Sequence, residues 1–150
     1  MKRILLYFII LIAVLVLPTE GTDVADLQPV QTIAVYRDGN QWVIETDTED
    51  VGRGNSVEKA FENLIQTAPA VIYLDTADYL ILQQDAVAAI DRLRTRLKES
   101  VELCQYVGKP DLQQVSKYLS IHAQTIELKH WNSNAILPIL DCTTERYFFM

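Results

Sequence analysis

The chain has 150 residues, 49% of them hydrophobic and 22% charged, with only 5 Gly and 5 Pro; this describes a globular fold with a real core plus a short extra segment, and excludes a disordered or low-complexity chain. Its formal net charge of −7 would repel a nucleic acid, and the one basic cluster, Arg92, Arg94, Arg96 and Lys98, alternates with apolar positions as the solvated face of a helix does. Nucleic acid is therefore excluded as a partner.

The chain opens on "MKRILLYFIILIAVLVLP". Lys2 and Arg3 form a basic head, Ile4 to Leu17 is an unbroken apolar run, and Pro18 stops it. A membrane span needs roughly 20 apolar residues, so the run suits a signal-peptide core or a short anchor, and the basic head directs the downstream chain outward. Residues 1–21 are thus read as a signal peptide or N-terminal membrane anchor, 22–31 as a polar connector and 32–150 as a single α/β domain. Cys104 and Cys142 would then lie outside the reducing cytoplasm, where a disulfide and two buried free thiols are both open.

"TIAVYRDGNQWVIET" reads as a β-hairpin turning at Asp38-Gly39, with Trp42 and Ile44 on one face and Val43 and Glu45 on the other. Next comes "GRGNSVEKAFENLIQTAP". Val57, Ala60, Phe61, Leu64, Ile65 and Ala68 fall on one helical face, Asn55 or Ser56 supplies the N-cap, and Pro69 ends the helix. The glycines Gly52 and Gly54 are expected to provide backbone angles for a turn. "AVIYL" and "DYLIL" read as buried strands, and Gln84 to Lys98 as a long amphipathic helix with Val87, Ile90, Leu93 and Leu97 inward. "SVELCQYVG" alternates as a strand; Gly108 and a first-turn Pro110 then open a helix with Leu112, Val115, Tyr118 and Leu119 inward. A helical turn around Ile126 to Trp131 precedes two late strands, "AILPIL", placed at an edge by Pro138, and "RYFFM". The fold class expected is α/β (α+β): a mixed sheet with packed helices in the order ββαββαβα(α)ββ.

Chemical motifs are incomplete. Gly52-x-Gly54 lacks the Lys of a Walker loop and the third Gly of a dinucleotide loop, and acidic residues precede it. Asp47, Glu49, Gly52 and Glu58 echo positions 1, 3, 6 and 12 of a calcium loop, but Val51 and Gly54 break the pattern. "GNSVE" is not a nucleophile elbow, and His122 and His130 with Cys104 and Cys142 match no zinc spacing. His122 is expected at the C-terminal end of its helix. Asp75 and Asp78 lie between two apolar runs and are the one candidate carboxylate pair for acid–base work, against simple turn residues. No catalytic, cofactor-binding or metal residues are assigned from these patterns.

The order of pieces resembles the N-terminal domain of the Ger(x)C family, the C subunits of spore germinant receptors. The matching positions are Asp38-Gly39, Gly54, Ser56, Ala60, Leu64, Ala68-Pro69 and Tyr73, within Ile33 to Leu119. The resemblance implies a membrane-bound, non-catalytic subunit outside the spore's inner membrane, working beside integral-membrane partners. Family members carry a lipidated Cys after the signal run, where this chain has Pro18, Thr19, Glu20 and Gly21.

The expectation is a non-enzymatic, extracytoplasmic domain without a cofactor, membrane-anchored, as at the spore inner membrane, or secreted, acting by protein–protein contact. The alternative is a small hydrolase or ligand-binding module using Asp75 and Asp78. A cleft lined by those carboxylates favours the second; an exposed apolar patch favours the first.

Overall fold

A computed structural model describes residues 27–144 and 147–150. The apolar N-terminal run and its cleavage or anchoring fall outside the described residues. Among those described, no helix is long and apolar enough to cross a membrane.

The hairpin forms as its alternation dictates. β2 (Thr32–Asp38) pairs antiparallel with β3 (Gln41–Thr46), with Asp38 opposite Gln41. The loop residues are therefore Gly39 and Asn40, one position later than expected. Gly39 has φ +59° whereas Asn40 is not in the left-handed region, the order of a II′ hairpin with glycine first. β4 (Val51–Gly54) returns antiparallel beside β3, and α1 (Val57–Thr67) begins at once after it. Ser56 caps α1 by accepting from the Lys59 N–H at 3.2 Å. Val57, Ala60, Phe61 and Leu64 are buried, as the stripe predicts, but Ile65 is 51% exposed.

Gly52 and Gly54 have a different role from the one expected. Neither has a positive φ; both lie in β4 directly against α1. A Cβ on Gly52 would sit 2.1 Å from the Ala60 carbonyl oxygen, and one on Gly54 2.4 Å from the Ala60 nitrogen. They permit close approach of strand and helix. The Arg53 N–H between them donates to Asn63 Oδ1 at 2.9 Å, so α1 also covers this sheet edge.

Further along the chain, β6 (Tyr79–Gln83), β7 (Glu102–Gly108), β8 (Ile126–Glu127), β9 (Ile139–Cys142) and β10 (Phe148–Phe149) join these strands. The resulting sheet has 8 strands, in the order β10-β9-β7-β6-β2-β3-β4 with β8 also on β7. β2, β6, β7 and β9 run parallel. Both faces of these strands are covered, so β6 reads Leu80-Ile81-Leu82 with all three buried. One face carries Ile33, Val35, Ile44, Leu80, Leu82 and Leu103 under α1 and the segment after β6. The other carries Ala34, Ile81, Cys104, Tyr106 and Leu140 under α3 (Leu112–His122).

Several expectations are corrected. "AVIYL" is no central strand: β5 (Val71–Tyr73) pairs in parallel only with β1 (Leu27–Pro29), off the main sheet, with Val71 and Tyr73 exposed. β1 falls within the stretch read as connector. The stretch from Gln84 is a 3₁₀ helix to Ala89 and a short α2 (Ile90–Leu93). With about three residues per turn, Ala86 and Ala89 are turned inward and fully buried, while Val87 is only partly so. Pro110 stands before the cap Asp111, whose carboxylate accepts from the Gln114 N–H at 3.1 Å. β9 is not an edge strand, because Pro138 precedes it and β10 flanks it. Between Ile126 and Trp131 the chain forms β8 and a 3₁₀ turn over Leu128–His130.

Candidate functional site

Neither of the carboxylates singled out in the sequence lines any of the depressions described below. Asp75 is exposed in a 3₁₀ turn over Leu74–Thr76. Asp78 accepts from Lys98 Nζ at 2.8 Å, and its N–H donates to the Gln31 carbonyl. The acidic stretch from Asp47 to Glu58 is likewise divided among separate tasks. Asp47 accepts from the Gln31 N–H at 3.2 Å, Asp50 from Gln28 and Thr48, and Glu58 from Arg92 at 3.1 Å. Glu49 occupies a left-handed turn position at φ 68°. Among the described residues no three His, Cys, Asp or Glu side chains are placed so that they could hold a metal ion. His122 ends α3 as expected, its ring 5.0 Å from that of Tyr118; His130 lies beside Glu127. Cys104 and Cys142 are free, buried thiols.

Three members of the basic cluster are engaged within the chain. Arg92 pairs with Glu58, Lys98 with Asp78, and the Arg96 guanidinium lies 4.6 Å from the centre of the Phe61 ring.

Two surface features remain. The first is an apolar concavity of about 430 Å³ lined by Ile65, Ala68, Pro69, Ala70 and Val71, where α1 ends and β5 begins. Along β5 the side chains alternate. Ile72 packs on the core while Val71 and Tyr73, 51% and 40% exposed, face outward. The edge of β5 away from β1 has no strand beside it among the described residues.

The second is a groove of about 280 Å³ on the α3 face, at the carboxyl ends of β2, β6 and β7. Gln83 and Tyr106 are register partners on β6 and β7, and Tyr36 comes directly after Val35, the partner of Leu82. Tyr36, Gln83 and Tyr106 therefore form a row across three parallel strands. Glu45 joins them from β3, opposite Ala34, and Lys109 closes the far side. Tyr36 donates its hydroxyl to Glu45 Oε2 at 3.2 Å. Burial, then the Glu45 charge, push the Tyr36 phenol above its ordinary value. Tyr106 is pushed up more strongly, by burial first and by Tyr36 and Glu45 next. Asp38 at the rim pairs with Arg53 at 3.0 Å. A second depression shares Glu45 and Pro110 with this groove and adds Asp47, Glu49 and Asp111.

The sequence did not single out Tyr36, Glu45, Gln83, Tyr106 and Lys109. The available signal was a polar or hydroxylic residue near the carboxyl end of each apolar strand, but only the strand order places those ends side by side.

No protein-family model, curated protein or solved structure matches the chain.

Proposed function

We propose that this chain is a non-enzymatic, extracytoplasmic, membrane-associated domain that acts by protein–protein contact, as an accessory subunit of the Ger(x)C kind would. The observation that carries the contact reading is the exposed apolar surface of Ile65, Pro69, Val71 and Tyr73 beside an unpaired strand edge. The occupant is an extended segment of a partner protein that adds a strand to β5. Main-chain hydrogen bonds would supply affinity, and alternate apolar side chains would enter the concavity. The basic head and apolar run at the N-terminus support an outward, membrane-proximal placement.

The test places a photo-activated cross-linker at position 71 in the full-length chain within native membranes, with position 121 on α3 as control, Ile121 being 75% exposed. A single partner joined from position 71 and lost in Val71→Lys is the expected result. Equal cross-linking from both positions, or retention of the complex by Val71→Lys with an unchanged melting temperature, overturns the assignment. Protease added to intact cells tests the placement separately: a fully protected domain contradicts it.

A further inference from the structure

The groove on the α3 face lies where the sheet's connections change sides. The chain leaving β6 packs on the α1 face through Ala86, Ala89 and Ile90, whereas the chain leaving β7 passes to the opposite face through α3. Adjacent parallel strands whose connections part in this way leave a crevice at their carboxyl ends, the usual ligand position in open sheets with parallel strands.

The groups in this crevice are incompletely used. Tyr106 is 4% exposed and lines the groove, yet its hydroxyl makes no hydrogen bond among the described residues. The hydroxyl is not sealed in the interior, where Thr32 Oγ1 and Trp131 Nε1 are the buried polar atoms without a partner among the described residues; it opens on the groove and is available to a bound molecule. The Gln83 amide and the Lys109 ammonium, at the same end, also have no partner among the described residues. Together they present donors and a positive charge; Arg37, the other cation lining the groove without a carboxylate partner among the described residues, lies with its guanidinium 4.9 Å from the centre of the Trp42 ring. Across the groove Glu45 is the reverse: Oε2 is occupied by Tyr36, but a carboxylate can accept several hydrogen bonds, and Oε1 has no partner among the described residues. Asp38 is compensated by Arg53. The groove thus has a donor end and an acceptor end.

We infer that this groove binds a small carboxylate that also carries a donor, a hydroxyl or an ammonium, with the carboxylate toward Lys109, Tyr106 and Gln83 and the donor toward Glu45. A volume of about 280 Å³ lies just under the range of small-molecule sites and suits a compact metabolite. A simple anion without the donor would meet Glu45 uncompensated, on a chain of net charge −7. A simple amine would meet Lys109.

The test is calorimetric titration of the full-length protein with a series of 2-hydroxy and 2-amino acids of increasing side-chain size. Propionate and propylamine serve as single-ended controls. Saturable binding of at least one series member, about tenfold or more tighter than both controls, is expected. Tyr106→Phe removes a hydroxyl with no internal partner, so its melting temperature should match the parent while binding weakens about tenfold, the equivalent of about 1.4 kcal/mol. Lys109→Gln should abolish the preference for carboxylates, and backbone amide shifts on titration should cluster at residues 83 and 106–109. Absence of saturable binding throughout the series, or binding unchanged in both variants, overturns the site.

Discussion

Gly52→Ala separates two explanations of the same glycine by the sign of its effect. A glycine needed only for chain flexibility, at a φ that alanine accepts, gains about 0.4–1 kcal/mol on replacement because the unfolded chain loses freedom. The structure predicts the reverse. The new Cβ would lie 2.1 Å from the Ala60 carbonyl oxygen, 2.5 Å from Leu64 Cβ and 2.6 Å from Leu64 N, whereas ordinary contact begins at 3.4 Å. These atoms belong to the α1 backbone or its first side-chain carbon, so no rotamer change relieves them. The helix must retreat by roughly 1 Å, and such a gap forfeits about a quarter to a half of each contact beneath it. The contacts affected are those of Val57, Phe61 and Leu64 with the sheet. Overpacking typically costs about 1–3 kcal/mol, and a backbone obstruction belongs at the upper end. We expect a net loss of about 2–3 kcal/mol, or roughly 4–12 °C in melting temperature for a domain of this size. Gly39→Ala is the control. It meets nothing within 4 Å but has φ +59°, so it should lose about 1–2 kcal/mol from left-handed backbone strain alone. Chemical denaturation of both variants gives the answer. A Gly52→Ala protein as stable as its parent, or more so, would refute the close-approach account of β4 and α1.

Phe61 is 3% exposed in the core beneath α1, so Phe61→Ala should lose about 3–5 kcal/mol in the same assay. Burial pushes the Cys104 thiol up to about 12, with a further contribution from Cys142, and burial, then Asp141, take Cys142 to about 12 as well. Both should resist an alkylating reagent at pH 8 in the folded protein and react promptly in denaturant; fast labelling of the folded chain would contradict their placement. Burial raises the Asp47 carboxyl against the lowering effect of the backbone N–H groups of Thr32 and Gln31. A raised folded-state value means a contribution that is fully present below the unfolded pKa and lost as pH rises through the folded one. Asp47→Asn should therefore be more stable than the parent near neutral pH, and the advantage should vanish on acidification below about pH 4.

The fold was most legible where one periodicity ruled. The stripes of α1 and α3 stand in the sequence because each helix has one partner surface, and the hairpin and β7 because turn residues bound their strand-forming runs. Legibility failed where different environments share a composition. "AVIYL" and "YLILQ" are both short apolar runs, yet Val71 is 51% exposed and Leu80 fully buried; composition records hydrophobicity but not which strand finds the sheet. Alanine hid the 3₁₀ helix, since Ala86 and Ala89 carry little weight in a hydrophobic stripe but are the residues small enough to press against the sheet. The groove was illegible for a topological reason. Tyr36, Gln83 and Tyr106 are distant in sequence and are aligned by parallel pairing, which leaves no local trace.

Charge links the proposed contact surface to the character of the partner it would take. The cations expected to neutralise the chain's acidity are largely engaged internally: Arg53, Arg92, Lys98 and Lys129 are each in an ion pair, and Arg96 lies over Phe61. Near the β5 edge the balance is different. Asp75, two residues beyond Tyr73, and Glu62, on the exposed side of α1, have no ion-pair partner among the described residues. An extended segment seated along β5 would therefore gain from a basic residue flanking its apolar positions, and on the proposed contact reading Asp75 would contribute to specificity there. Exposed charges are screened beyond about 8 Å at physiological ionic strength. Complex formation through position 71 should thus weaken as salt is raised, and Asp75→Asn should flatten that dependence while leaving the melting temperature unchanged. Charge complementarity chiefly governs encounter, so the loss should appear mainly in the association rate. A salt-independent association rate, or an Asp75→Asn variant with the parent's salt dependence, would leave the apolar contacts of Ile65, Val71 and Tyr73 as the sole determinants of this surface.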